Sequence, residues 1–148
     1  MKKKIPLILL VLLLLIQLMP ISTDNPVSEK SLALSSSTDP QVTDEVMTIL
    51  KNACNDCHSN ETTYPKYSRF QPVGWWLRGH IKGGRNKLNF SEWQNYTPMQ
   101  KIKQAQDCIE VLDEKRMPLK SYTWMHPKGK LSEAETQKLV SFFKQMGQ

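Results

Sequence analysis

The sequence is short of cysteine, of surplus charge and of repeats, and each shortage excludes a class of protein. Three cysteines in 148 residues cannot form the disulfide framework of a small stapled secreted protein. The net charge of +6 includes Lys2, Lys3 and Lys4, and the other 17 basic residues stand against 14 acidic ones, a balance of +3. That balance is too small and too scattered to predict binding to nucleic acid. Without internal repeats, a chain of this length fits one domain.

The first 21 residues combine a positive end with a short apolar run. Lys2–Lys4 precede an unbroken apolar stretch from Leu7 to Ile16, which is typical of a secretory signal or an uncleaved signal-anchor. No small-x-small cleavage site follows, which favours the anchor, but the 17 residues from 5 to 21 are at the lower limit of about 17–25 for a membrane span. The sequence therefore predicts a protein of the bacterial cell envelope. It is either anchored in the inner membrane with its domain in the periplasm, or secreted to the periplasm after cleavage.

The rest of the chain divides into a linker and a helical domain. Residues 22–39 are dominated by Ser, Thr, Asp and Asn without an apolar period, which predicts a flexible linker. Residues 40–148 carry apolar side chains at helical spacing and show no convincing strand alternation, which predicts an all-α domain. Helices are predicted from Pro40 to Cys54, from Pro72 to Gly83-Gly84, from Pro98 to about Arg116 and from the Ser132 cap to Met146, with a loop over 117–130 before the last one. Two of these helices begin with predicted capping boxes, Thr97 with Gln100 and Ser132 with Glu135. Ser91 and Gln94 make a possible capping box for a short turn around Trp93.

The motif that carries chemistry is Cys54-Asn55-Asp56-Cys57-His58. Its C-x-x-C-H pattern is the attachment signature of a c-type haem. Two cysteines three residues apart at a helix start both reach vinyl groups on one porphyrin edge and form thioethers, and His58 then binds the iron as the proximal axial ligand. This attachment takes place in exported bacterial proteins, and the N-terminal segment supplies the export. The sequence thus predicts one covalently attached haem c.

Two other kinds of site could use these cysteines. A thioredoxin-like dithiol requires a strand before Cys54, where the pattern is helical. A zinc site could combine Cys54 and Cys57 with His80 or His126, but the sequence has no second C-x-x-C and no H-x3-5-H pair. Both alternatives are weaker predictions than haem.

Further short stretches accompany the haem signature: HIKGGR, LNFSEW, MPLKSY and HP. With them, the region from about Asp44 to the C-terminus, together with the apolar start, resembles the bacterial haem-binding-domain family of cytochrome c-like proteins, which usually carry one N-terminal membrane segment. The resemblance implies a small cytochrome c-like helical domain wrapped around one covalent haem. It implies no particular redox partner.

Met117 is predicted to bind the other face of the iron. It lies after the middle helices and before the last one, where cytochrome c-like folds carry the distal methionine, and Pro118 stiffens its loop. Met125, His80 and His126 are the alternatives, and an open site is another. For Met117 itself, a core methionine that fills a gap is the competing interpretation.

Other residues are predicted around the haem with less support. His80 shares an apolar helix face with Trp76 and Leu77, where a histidine is more often a hydrogen-bonded core residue than a ligand. Cys108 is predicted to pack as a small hydrophobic residue. The remaining candidates for the pocket or for pairing with a propionate are Arg85, Lys87, Tyr122, Trp124 and His126.

The leading functional prediction is a membrane-tethered cytochrome domain that passes single electrons to a redox protein. Ligation by His58 and Met117 would leave no open position on the iron, so the protein would be a carrier rather than an enzyme. If Met117 does not bind, an open iron could act on peroxide with His80 or His126 as the acid–base group. A haem-based sensor or an accessory domain of a respiratory complex is the third possibility.

Overall fold

The chain folds into helices joined by turns and loops. The computed structural model describes residues 5–147, and no strand occurs among them, which confirms the all-α prediction. The α-helices are α1 (Ile5–Ile16), α2 (Asp44–Ala53), α3 (Asn55–His58), α4 (Val73–Lys87), α5 (Pro98–Asp113), α6 (Lys120–Met125) and α7 (Glu133–Met146). Short 3-10 turns lie at Lys30–Leu32, Leu34–Ser36, Lys66–Arg69, Phe90–Asn95 and Pro127–Gly129.

The first helix, α1, is apolar on every side and buries none of its residues. Its leucines are all about half exposed or more, so the domain does not cover this helix. Within residues 5–147, no helix combines the length and the apolar character needed to cross a membrane. The lysines of the predicted positive end, Lys2–Lys4, lie outside the described residues.

The segment 22–39 differs from the flexible linker expected of it. Two 3-10 turns form in it, and Leu34 is buried in the domain core. The turn that contains Leu34 packs against the turn Phe90–Asn95. One buried leucine gives no periodic pattern, which is why the polar composition around it predicted only a tether.

The core lies between α2, α5 and α7. The helix α5 packs along α7, and α2 also contacts α7. Both α5 and α7 begin with the predicted capping boxes, Thr97 with Gln100 and Ser132 with Glu135, which satisfy the free N–H groups of each first turn. The largest fully buried side chains are Trp93, Phe143, Leu34, Leu50 and Leu139.

Several helix boundaries differ from the predicted ones. Helix α2 begins at Asp44 with Thr43 as its cap, four residues after Pro40, because Asp39 instead accepts from the backbone N–H of Gln41 in a turn. The turn around Trp93 is capped by Asn89, not by Ser91. Helix α5 ends at Asp113, and the loop expected over 117–130 contains α6.

Helix α4 differs most, because it continues through Gly83-Gly84 to Lys87. Glycine lowers helix stability, but it does not end a helix whose other side chains are packed. The buried face of α4 carries Leu77 and Ile81. The extra turn at the C-terminal end of α4 lies beside the C-x-x-C-H motif.

Candidate functional site

The C-x-x-C-H motif forms one tight turn between α2 and α3. Cys54 ends α2, and its carbonyl oxygen accepts from the backbone N–H groups of Cys57 (3.1 Å) and His58 (2.9 Å). Residues three and four apart on a helical turn lie on the same side. The local fold therefore presents both sulfurs and the imidazole toward the same part of the domain.

Helix α4 holds this turn from the other side through a close backbone contact. A Cβ atom built on Gly84 would lie 2.5 Å from the carbonyl oxygen of Cys57, which no side chain tolerates. At Gly83, the preceding residue, a Cβ atom would meet nothing within 4 Å. Only the second glycine of the pair is therefore required for the approach of α4 to the motif.

The His58 ring is fixed by the residue that follows α4. Its Nδ1 atom lies 3.2 Å from the carbonyl oxygen of Leu88, so this nitrogen carries the proton and donates, and Nε2 is left free for a metal. Burial lowers the pKa of His58 below its ordinary value, outweighing the backbone hydrogen bonds that raise it. The neutral imidazole is the form that binds iron.

The motif opens on a cavity of about 440 Å³ with mostly apolar walls. This volume lies in the range of about 300–1,000 Å³ typical of cofactor sites. Cys54, His58 and Met117 all contribute to its walls. A smaller neighbouring cavity is lined by Cys57, Met117 and Tyr122, among others. The fold thus brings together the four residues predicted to hold the haem, although 59 positions separate His58 from Met117 in the sequence.

The walls and the rim of the main cavity fit a porphyrin. Leu88, Phe90, Val111, Leu139 and Phe143 supply apolar surface for the ring. Lys87 and Arg116 supply positive charge, which suits propionate groups. Arg116 also pairs with Glu110 and Glu114, so Lys87 is the cation of the rim with no acidic partner among the described residues.

The chemistry of the two thiols argues against the alternative sites. Burial raises the pKa of Cys54 to about 12 and that of Cys57 to about 11, so both sulfurs are protonated at neutral pH. An active dithiol has a lowered pKa instead. No group of three or more His, Cys, Asp or Glu side chains suitable for a metal ion occurs in residues 5–147, which weakens the zinc prediction.

Tyr122 and His126 lie next to the motif. The Tyr122 hydroxyl donates to Asp56 Oδ2 (2.8 Å) and lies 3.1 Å from the carbonyl oxygen of Asn52. The His126 ring stacks on the Tyr122 ring with centroids 4.4 Å apart, and its Nδ1 atom is 3.1 Å from the Tyr122 carbonyl oxygen. Tyr122 therefore supports the motif turn, and His126 supports Tyr122 without lining either cavity.

Arg85, His80 and Trp124 lie away from the main cavity. The Arg85 guanidinium donates to the Ser59 carbonyl oxygen (2.7 Å) and the Thr62 hydroxyl (2.7 Å), which ties α4 to the loop after the motif. His80 packs against the half-exposed Trp76 ring. Trp124 is 82% exposed. Since neither His80 nor His126 faces the cavity, the acid–base group of the peroxidase prediction has no support.

Three residues of the site escaped prediction. Gly84 was expected to stop a helix, Leu88 contributes only a backbone oxygen, and Arg116 was expected at a helix end. Of these three residues, only Gly84 could have been recognised from the sequence, because a glycine pair inside an amphipathic pattern can also mark a close backbone approach. Cys108 is buried in the core as expected, and it lines the cavity, with its pKa raised chiefly by burial.

Fold and cavity define a small helical protein with an apolar cavity beside a histidine and a pair of cysteines. The chain matches the model of the haem-binding-domain family over residues 11–145, and it belongs to that family. This match confirms haem as the cofactor. No curated protein and no solved structure matches the chain.

Proposed function

We propose that the protein is a membrane-tethered, extracytoplasmic cytochrome domain that carries one covalently attached haem and transfers single electrons. The observation that carries this proposal is the common cavity of Cys54, His58 and Met117. Covalent attachment follows from the C-x-x-C-H sequence at its edge. The apolar, exposed α1 is the proposed membrane tether.

The haem supplies the one-electron chemistry when it is bound. The chain's residues hold and shield it. Cys54 and Cys57 would provide the two attachment points, and His58, held by the Leu88 carbonyl oxygen through its Nδ1 atom, would bind the iron. Met117 lines the same cavity from the loop after α5, and its sulfur would be the second ligand of the iron.

Electron transfer needs an exposed cofactor edge, and the partly exposed loop at the cavity supports this part of the proposal. Met117 is 36% exposed, and the loop that carries it borders both cavities. Charged side chains surround the opening, with Lys87 and Arg116 beside Asp107 and Glu110. Charge of this kind steers the encounter with a redox partner.

The test is expression of the full chain in cells with a working thioether-forming apparatus. Mass spectrometry should show the polypeptide plus one haem, and the Cys54→Ser/Cys57→Ser variant should lose the covalent addition. A reduced-minus-oxidised spectrum should be low-spin. The His58→Ala variant should not give stable low-spin holoprotein.

Two results would contradict the proposal. A folded polypeptide of bare mass under these conditions would exclude covalent attachment. Rapid carbon monoxide binding by the reduced protein, with a high-spin spectrum, would favour a sensor or an enzyme with an open site.

A further inference from the structure

An exposed group of apolar side chains lies where α1 meets the domain. It consists of Phe70, Val73, Trp75 and Trp76, which we call the aromatic patch. Phe70 is 65% exposed and Trp76 is 50% exposed. Phe70 lies just before α4 and the other three lie on its first turn, where Trp75 and Trp76 face away from the side of the helix that buries Leu77 and Ile81. No other described element covers the patch.

Hydrogen bonds attach the patch to the end of the apolar helix. The Gln17 side chain donates to the Gln71 carbonyl oxygen (3.0 Å) and accepts from the Gln71 backbone N–H (2.9 Å). The Trp75 indole N–H donates to the Met19 carbonyl oxygen (3.1 Å). The patch is therefore held at the base of α1, and the exposed Leu18 and Met19 extend its apolar surface toward that helix.

Positively charged residues flank the patch in the sequence. Residues 62–91 contain no Asp and no Glu. The same stretch carries Lys66, Arg69, Arg78 and Lys82, all exposed and without a salt bridge in the described part of the chain. Tryptophan side chains beside lysine and arginine are the composition of a protein surface at a membrane interface, where the rings lie among the headgroups and the cations meet anionic lipid.

We propose that the aromatic patch and its basic border rest on the anionic bilayer surface, so that the domain lies on the membrane instead of swinging freely on a tether. This inference rests on the proposed membrane tether. Contact of the patch with the bilayer would also set the height of the haem above the membrane. Gly84, which touches the haem motif, follows Trp76 by eight residues, a rise of about 12 Å along α4. The motif beside Gly84 would then lie close to the membrane, within reach of a membrane-bound electron donor.

The test uses the full-length holoprotein in vesicles of phosphatidylethanolamine and phosphatidylglycerol. A phospholipid in these vesicles carries a photoactivatable diazirine near the carbonyl end of its acyl chain. After irradiation, mass spectrometry of the digested protein maps the residues that are labelled by lipid. We expect labels on α1 and on the peptide that contains residues 70–76, and none around Trp124, the most exposed tryptophan.

The Phe70→Ser/Trp76→Ser variant, checked for an unchanged haem spectrum, should lower labelling of residues 70–76 to the level of the Trp124 region while α1 stays labelled. Phe70→Ser alone serves if the double variant folds poorly. Replacing phosphatidylglycerol by a neutral lipid should weaken labelling of the patch and leave that of α1 unchanged. Labelled α1 with an unlabelled patch would overturn the inference and keep the tether. No labelling anywhere would overturn both.

Discussion

The contact between α4 and the haem motif can be broken by one methyl group. Gly84→Ala places a Cβ atom 2.5 Å from the Cys57 carbonyl oxygen and 3.1 Å from the Cys57 carbonyl carbon. Both are backbone atoms of a hydrogen-bonded turn and cannot rotate away. The helix must shift instead, and the shift is transmitted to Leu88, whose carbonyl oxygen holds His58.

The size of the effect follows from two opposing contributions. Overpacking of a tight contact costs about 1–3 kcal/mol, whereas alanine in a helix interior gains about 1 kcal/mol over glycine. Gly83→Ala should gain the helix stability without the overpacking, because nothing lies within 4 Å of its new Cβ atom. The free energies of unfolding of the two variants should therefore differ by about 1–3 kcal/mol in favour of Gly83→Ala.

The assay is urea unfolding of each holoprotein, followed by circular dichroism and by the haem absorption band. Gly84→Ala should unfold at a lower urea concentration than Gly83→Ala, and its haem spectrum should show disturbed axial ligation. Gly79→Ala, at another open position of the same helix, is a second control that should resemble Gly83→Ala. Equal stability of the Gly84 and Gly83 variants would show that the close approach does not exist.

Three further predictions address the distal ligand, the support of the motif and the cap of the last helix. Met117→Ala should abolish the weak near-infrared sulfur-to-iron band and leave the haem covalently bound, whereas Met125→Ala should change neither. Tyr122→Phe should lower the free energy of unfolding by about 1–2 kcal/mol, because its hydroxyl donates to a carboxylate of the motif. Glu135→Gln should cost about 0.5 kcal/mol at neutral pH, measured by urea unfolding. Hydrogen bonds from Ser132 lower the pKa of Glu135, so this difference should be complete above the ordinary pKa of a glutamate and disappear as the pH falls through the lowered pKa of the folded protein.

Each of these predictions has its own control or contradicting result. A sulfur-to-iron band that survives in Met117→Ala but is lost in Met125→Ala would move the distal ligand to Met125. Tyr64→Phe is the control for Tyr122→Phe, since the Tyr64 hydroxyl has no hydrogen-bond partner in residues 5–147. An equal loss of unfolding free energy in the two variants would show that the Tyr122 hydroxyl does not support the motif. A Glu135→Gln effect that does not change with pH would show that the carboxylate is not what stabilises the cap.

Local chemistry explains which parts of the fold could be predicted. The capping boxes at Thr97 and Ser132 involve residues three apart, so adjacent sequence is sufficient to recognise them. The structure forms both boxes where the sequence predicted them. The same local rule misled at Gly83-Gly84, because whether glycine ends a helix or admits a neighbour depends on what packs against it.

Burial was the property that sequence predicted least well. Among the four tryptophans only Trp93 is buried, and Trp124, a predicted pocket residue, is exposed. Leu34 lies in the core although its neighbours are polar. His80 was expected on the buried stripe of α4 but sits on the half-exposed side with Trp76. A helical period assigns residues to faces but does not decide which face meets the rest of the protein.

The sequence by itself determined the helical class and the haem motif, because helix periodicity, caps and C-x-x-C-H are all encoded within a few neighbouring residues. Only the tertiary structure decided that Met117 shares a cavity with Cys54 and His58, that Leu88 orients the histidine, and that the aromatic patch lies at the base of α1. These relations join residues far apart in the chain. They follow from how the helices pack, which no short stretch of sequence specifies.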